Sequence, residues 1–496
     1  MSEKVDVFVG SIRSRIPDLD PELKSMLYEA MAVPIKGARF SPQVRQGLWD
    51  GKIRFFGING GFATGLLDHV QALLNGSNIT LNQIDDRRVV VPTPRLPELP
   101  PLVGITEDPN RDYQGQIVDE SLLKRRGIIL AAVNAGKSII AMEIIRRLRV
   151  NTLYIVPTKE LFKQFSLDVK QLLPGMPVGE IRDEGTFKPA LLTVGMVQSI
   201  VKRIDKALDG PDPRHDPFLR WLRDEVEMVM VDEGHHFKGK KWGQVFTEAK
   251  RAMYKYALSA TPLGGDKVKD MTLIGFTGSV LKSSVSTQEL VKRGLSVPTT
   301  VRMISYEQTP DALEHISTAG FFQPGGLYER GICDYPPRAT AMYKTIKAHC
   351  EAGERVLIFV DRVDHGDFLE YLGKSMAGKA VWSPQFLHGE QPMFKRLAIL
   401  HRFVKAERPL LITTVLKEGV NIPEIDVIVN ACGMESPTKA KQQAGRNART
   451  RKGKVQSIIY DFLDATHGRL LDHSAGRMKA YRSEGYKIEL IKCYQQ

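Results

Sequence analysis

Cysteine is scarce in this 496-residue chain. The four present, Cys333, Cys350, Cys432 and Cys493, include no C-x-x-C pair, so neither a zinc site nor a disulfide framework is indicated. That usage fits a reducing, cytoplasmic compartment. Long apolar runs are missing too. None approaches the roughly 18 residues a membrane helix needs, and no membrane association is expected. The opening MSEKVDVFVG lacks the basic start and apolar core of a secretory signal. Acidic side chains are in deficit: 57 Asp and Glu face 70 Lys and Arg, a net charge of +13. Such an excess suits a polyanionic partner, most often nucleic acid, and equally a solvated basic surface; charge alone leaves both open. The excess is uneven, with 12 Lys and Arg against 5 Asp and Glu in residues 441–496. A hydrophobic content of 42% excludes wholesale disorder, and the length allows two to four domains.

The first obvious boundary is rich in proline. Pro92, Pro94, Pro97, Pro100, Pro101 and Pro109 oppose helix and central strand, which predicts an extended linker over 92–109 and a separate N-terminal domain over 1–91. Downstream, apolar strands alternate with helices. Gly127–Val133, Asn151–Val156, Ala190–Val194, Val226–Val231 and Tyr256–Leu258 read as strands, and Ser138–Leu148 as a helix. The pattern restarts at Val356–Val360, Leu410–Thr413, Val427–Val429 and Ser457–Tyr460. Continuous apolar strands of this kind belong to parallel sheets covered on both faces. Residues 263–335 resist parsing.

Chemistry concentrates at strand ends. The stretch AAVNAGKS, residues 131–138, joins a strand to a helix and ends as a phosphate-binding loop does. Gly136 lets backbone approach phosphate, Lys137 neutralises it, and the Ser138 hydroxyl suits magnesium, while the helix start adds N–H donors. Ala131 stands where the usual pattern has its first glycine. Asn134 stands where glycine is common, and asparagine tolerates left-handed backbone. The stretch VMVDEGHH, residues 229–236, ends a second strand with two carboxylates. In an open parallel sheet this is the ligand-binding edge. There Asp232 can hold magnesium and Glu233 can orient and deprotonate water. Alone, either motif has a bland alternative: a chance G-K-S, or an acidic surface turn. Their pairing weighs against both. Ser259-Ala260-Thr261 follows another strand. Arg111-Asp112-Tyr113-Gln114 precedes the loop, and the Gln114 amide can read adenine. QQAGRNAR at 442–449 places Arg446 and Arg449 three apart, either reaching a γ-phosphate or forming a solvated basic face.

Taken in order, RDYQ, AAVNAGKS, TVGMVQS at 193–199, VDEGH, SAT, TTVLKEGVNIP at 413–423 and QQAGRNAR resemble the motif set of superfamily-two helicases. The run GARFSPQVRQGLWDGKIRFF at 37–56 narrows the resemblance to the UvsW-type helicases of tailed bacteriophages. The resemblance implies an α/β fold with two tandem RecA-like parallel-sheet domains, at 110–300 and 301–470. A small N-terminal α+β DNA-binding domain precedes them and a basic segment, 471–496, follows. It implies ATP and Mg2+ as cofactors, with Arg111, Gln114, Asn134, Ala135, Gly136, Lys137, Ser138, Gly419 and Asn421 around the nucleotide. Lys137, Asp232, Glu233, Arg446 and Arg449 would be catalytic, Ser138 and Asp232 the metal ligands, and Ser259, Thr261 and Gln442 would couple hydrolysis to movement. DNA would meet Gln198 and the N-terminal Arg39, Arg45, Trp49, Lys52 and Arg54.

The function implied is ATP-driven remodelling of branched DNA with 3′-to-5′ movement: fork regression, branch migration and unwinding of DNA–RNA loops. The expected setting is a monomer in the host-cell cytoplasm, with DNA or a DNA–RNA hybrid as partner. Two rivals stay open at this point. One is a duplex translocase that does not separate strands; the other is a nucleic-acid clamp switched by ATP binding.

Overall fold

The computed structural model describes every residue except 1–2, 86–91, 103–107, 184, 235–239, 261–262, 264–265, 309, 318–325, 379, 381, 406, 408, 416–424, 435–447, 449, 451–453 and 494–496. The chain forms two compact units. One comprises residues 1–132 with 136–285; the other comprises 286–496 with 133–135.

The first unit contains two sheets. Its N-terminal sheet has four strands, in spatial order Gly61–Ala63, Arg13–Arg15, Glu3–Val9 and Ile79–Asp85. Helices Pro21–Ala30 and Leu67–Asn75 cover it, and a two-stranded ribbon pairs Ala32–Pro34 with Lys52–Arg54. Val7, Leu27, Phe56, Phe62, Leu66 and Val70 are fully buried in its core. Met271 and Ile274, from helix Lys267–Thr277 of the following domain, pack against that same core. The N-terminal segment therefore shares apolar surface with the domain after it. The proline-rich stretch is also anchored: Arg95 forms a bidentate pair with buried Glu227, and the Leu96 and Leu99 carbonyls accept from Arg149 and Arg146.

The second sheet of this unit has seven strands, in spatial order Phe187–Lys188, Val178–Ile181, Leu192–Met196, Thr152–Val156, Met228–Val231, Tyr254–Ser259 and Arg126–Leu130. All pairings are parallel except that of the outermost strand, Phe187–Lys188. The central strands TLYIV and MVMV are buried at every position, as helices on both faces require. One such helix, Val197–Leu208, buries Val197, Ile200, Val201 and Ile204, an i, i+3, i+4, i+7 stripe.

The second unit repeats the architecture. Its seven parallel strands run Gln385–Leu387, Leu410–Thr413, Val356–Phe359, Val427–Asn430, Ser457–Phe462, Thr299–Tyr306 and Lys487–Cys493 in spatial order. The terminal stretch, read from the sequence as a basic tail, supplies part of helix Gly468–Ser483 and the last strand. The segment that resisted parsing splits between the units. Helix Lys267–Thr277 and a bridge of Val285 to Ala131 belong to the first, and strand Thr299–Tyr306 belongs to the second. A buried ionic network braces this second sheet: Arg477 pairs with Asp461 and Asp464, and Arg338 pairs with Asp464 at 2.8 Å.

Candidate nucleotide site and nucleic-acid interface

Parallel register brings three strand ends together in the first unit. Arg126–Leu130 leads into the phosphate loop, Met228–Val231 into Asp232-Glu233, and Tyr254–Ser259 into Ser259-Ala260. The Ser259 carbonyl accepts from the Ala131 N–H at 3.2 Å, pinning the start of the loop to the neighbouring strand. Asn134 and Gly136 both adopt left-handed backbone, φ 74° and 78°. The tolerance expected of Asn134 is thus used. Ala135 between them is buried, and helix Lys137–Leu148 follows at once. Alternating backbone handedness before a helix start is the geometry that gathers N–H groups around an anion.

Gln114 is 1% exposed, on helix Asp112–Lys124. Glycine is favoured at position 136 by its φ of 78°, and a Cβ there would lie 2.4 Å from the Gln114 Nε2. The Gln114 amide, expected from the sequence to read adenine, lies beside the phosphate loop. Arg111, just before this helix, pairs with Asp108 at 3.3 Å and stays partly exposed.

Lys137 Nζ lies 3.0 Å from Glu233 Oε1, with both side chains largely buried. Glu233 itself sits in left-handed backbone at φ 50°, and its N–H donates to Asp232 Oδ1 at 2.9 Å. Burial, with the Glu233 charge alongside, pushes the Asp232 carboxyl above its ordinary range, and Lys137 partly opposes this. The hydroxyl of Tyr154, a fully buried residue in register with Met230, flanks Asp232. No sequence motif pointed to Tyr154. Only its place in the apolar strand NTLYIV, beside the strand carrying the carboxylates, could have. A buried carboxylate held above its normal pKa beside a second carboxylate is a donor set that favours a hard divalent cation. Asp232, with Ser138 at the helix start, fits that role. Ser259 is fully buried. Thr261, Gly419, Asn421, Gln442, Arg446 and Arg449 lie outside the described residues.

The N-terminal basic residues divide into two groups. Arg39 and Arg45 are exposed, with the Arg39 guanidinium 4.8 Å from the Phe40 ring centre. Lys52 and Arg54 are engaged instead: both pair with Glu29, and Arg54 also pairs with Asp50 while covering the Tyr28 ring. Trp49 turns its indole N–H inward to the Lys52 carbonyl at 2.9 Å. These three brace the ribbon. Gln198 is exposed, at the start of helix Val197–Leu208, and donates to the Pro157 carbonyl at 3.2 Å.

Three family models match. "DNA helicase UvsW, N-terminal" covers residues 17–82, "Type III restriction enzyme, res subunit" covers 108–264, and "Helicase conserved C-terminal domain" covers 338–451. The chain is a superfamily-two helicase of the UvsW type. Among its relatives, the ATP-dependent DNA helicase uvsW of Enterobacteria phage T4 is 23% identical over 91% of this chain and 89% of its own length. A putative DNA 3′-5′ helicase, Rad25, of Halobacterium salinarum is 23% identical over 76% of this chain and 58% of its own. Among solved structures, a fragment of a putative HsdR subunit of a type I restriction enzyme from Vibrio vulnificus has a TM-score of 0.54 at 18% identity. That alignment covers 77% of this chain and 68% of the fragment, and it shares the fold. As a UvsW-type helicase the chain hydrolyses ATP and acts on DNA.

Proposed function

We propose that this UvsW-type helicase remodels branched DNA, regressing forks, migrating branches and unwinding DNA–RNA loops, as a 3′-to-5′ motor in the host-cell cytoplasm that works as a monomer. The observation that carries the reading is the N-terminal UvsW model at 17–82, joined to a phosphate loop whose Lys137 already faces Glu233 at 3.0 Å. In this reading Lys137 and the loop N–H groups hold the phosphates of ATP. Ser138 and Asp232 would hold magnesium, which would supply charge neutralisation there. Glu233 takes the proton of the attacking water. Arg446 and Arg449 stabilise the transferring phosphoryl group, while Gly419 and Asn421 adjoin the nucleotide and Thr261 and Gln442 relay its hydrolysis. Arg39 and Arg45 meet DNA phosphates.

The test measures phosphate release and strand separation on forks, Holliday junctions, blunt duplex and DNA–RNA hybrids. Turnover stimulated most by branched substrates, with unwinding, is the expected result. The match of residues 108–264 to the res subunit of a type III restriction enzyme supports one rival, a duplex translocase. Strong stimulation by blunt duplex, with displacement of a bound protein and no unwinding, would establish that rival.

A further inference from the structure

Within the first unit, a cavity of about 390 Å3 opens between the N-terminal sheet and the RecA-like domain. Three consecutive cations line it: Lys124, Arg125 and Arg126. Asp68, which is exposed, is the one carboxylate among its lining residues. A fourth cation stands behind the wall. Lys255 is 1% exposed, and its ammonium donates to the carbonyls of Ser11 at 3.0 Å and Phe246 at 3.4 Å. The Arg126 guanidinium donates to the same Ser11 carbonyl at 3.2 Å. A buried ammonium and a partly buried guanidinium thus converge on one neutral oxygen. Among the described residues neither has a carboxylate within ion-pair distance.

Burial, and then the Arg126 charge, holds the Lys255 ammonium well below the usual lysine range. Burial pulls Arg126 down to about 10. Buried charge without a counter-ion is costly. Domain docking explains why some donor should meet the Ser11 carbonyl. It does not explain Lys124 and Arg125, which line the same cavity.

We propose that this cavity is a second anion site, separate from the phosphate loop, which takes a phosphate group through Arg126 with Lys124 and Arg125. The group comes from the DNA backbone or from free phosphate. The site lies at the opposite end of the strands from the phosphate loop. Arg126 starts the strand that ends at the loop, about 16 Å away at ~3.3 Å per residue. Helix Asp112–Lys124 makes the same connection, with Gln114 near one end and Lys124 at the other. An anion here bears on elements that also shape the nucleotide site.

Two variants test it, each in a Lys137→Ala background that removes phosphate binding at the loop. Arg126→Gln removes the central cation. Lys124→Ser with Arg125→Asn removes the outer pair, and asparagine accepts the left-handed backbone, φ 62°, of position 125. If Arg126→Gln does not fold, the outer pair still carries the test. Melting in millimolar phosphate against chloride at equal ionic strength reads the free ion. The dependence of fork affinity on salt reads the backbone. A log–log slope shallower by about one unit per lost contact supports the DNA source. A phosphate-induced rise in melting temperature that the variants lose, with slopes unchanged, supports the free ion. Unchanged slopes together with no phosphate effect on the parent protein's melting overturn the proposal.

Discussion

Lys137 and Glu233 hold each other at 3.0 Å across the ends of neighbouring structural elements, in a setting where both are mostly out of water. The pair means that ATP must compete with a carboxylate for the lysine. Glu233→Gln removes that competitor while keeping its shape. The expected outcome is tighter ATP binding with hydrolysis slowed by about 10²–10⁴-fold, the usual worth of a positioned base. Nucleotide titration and single-turnover phosphate release on the same variant check it. Loss of ATP binding would assign Glu233 another role.

Lys137→Ala acts in the opposite direction. It withdraws the main cation from the phosphates and leaves Asp232 and Glu233 beside each other without their shared counter-charge. DNA-stimulated turnover should fall by at least ~10²–10³-fold. Near-normal turnover would remove the phosphate-loop assignment.

Arg446→Ala and Arg449→Ala should depress the rate at saturating ATP far more than ATP affinity. Guanidiniums that meet charge developing in the transition state contribute little to ground-state binding. Rates measured across an ATP titration separate the two effects. Weaker ATP binding with an unchanged maximal rate would contradict the assignment.

The strand–loop–helix around the phosphate-loop motif was legible because its backbone demands are local. A strand, a loop with left-handed positions and a helix force the spacing seen at 131–138, and a buried parallel strand forces the apolar run before Asp232-Glu233. The same logic made the central strands readable. It failed at sheet margins: Thr299–Tyr306 and Lys487–Cys493 carry Arg302 and Glu489, which pair with each other and break the apolar run. It failed too wherever partners are distant in sequence. Lys52 and Arg54 read as free cations until the fold brings Glu29 to them. Nothing near Ser11 announces Lys255, 244 positions away.

His365 sets an acid limit on the second unit. It is 1% exposed, and among the described residues neither ring nitrogen has a hydrogen-bond partner. Burial, reinforced by Arg338, lowers its pKa from the ordinary 6.5 to about 3. The unfolded chain therefore binds more protons than the folded one between those values, so this contribution to stability is present above pH 6.5 and is lost as pH falls toward 3. Melting temperature should drop with acidification over that window, and His365→Leu should flatten the dependence. An unchanged pH profile in a folded variant would show that His365 does not titrate on unfolding.

The docking of the N-terminal domain rests on a contact that only glycine allows. A Cβ on Gly65 would fall 2.0 Å from the Ile274 carbonyl oxygen and 2.7 Å from that of Gly275, both backbone atoms of helix Lys267–Thr277. Backbone cannot swing aside as a side-chain tip can, so Gly65→Ala must push the turn Thr64–Leu66 off the helix. Met271 and Ile274 then lose part of their cover, and the Ser11 carbonyl is drawn from Lys255 and Arg126. Overpacking of this kind costs about 1–3 kcal/mol, which for a unit of this size lowers the melting temperature by several degrees, at ~2–4 °C per kcal/mol. Fork affinity should weaken in step, because Arg39 and Arg45 ride on the displaced domain. Gly115→Ala, at a helix position where a Cβ meets nothing within 4 Å, is the control and should melt as the parent does or slightly higher. A Gly65→Ala protein with parental melting and parental fork affinity would show that the domain tolerates the shift and that its grip on DNA does not depend on this seat.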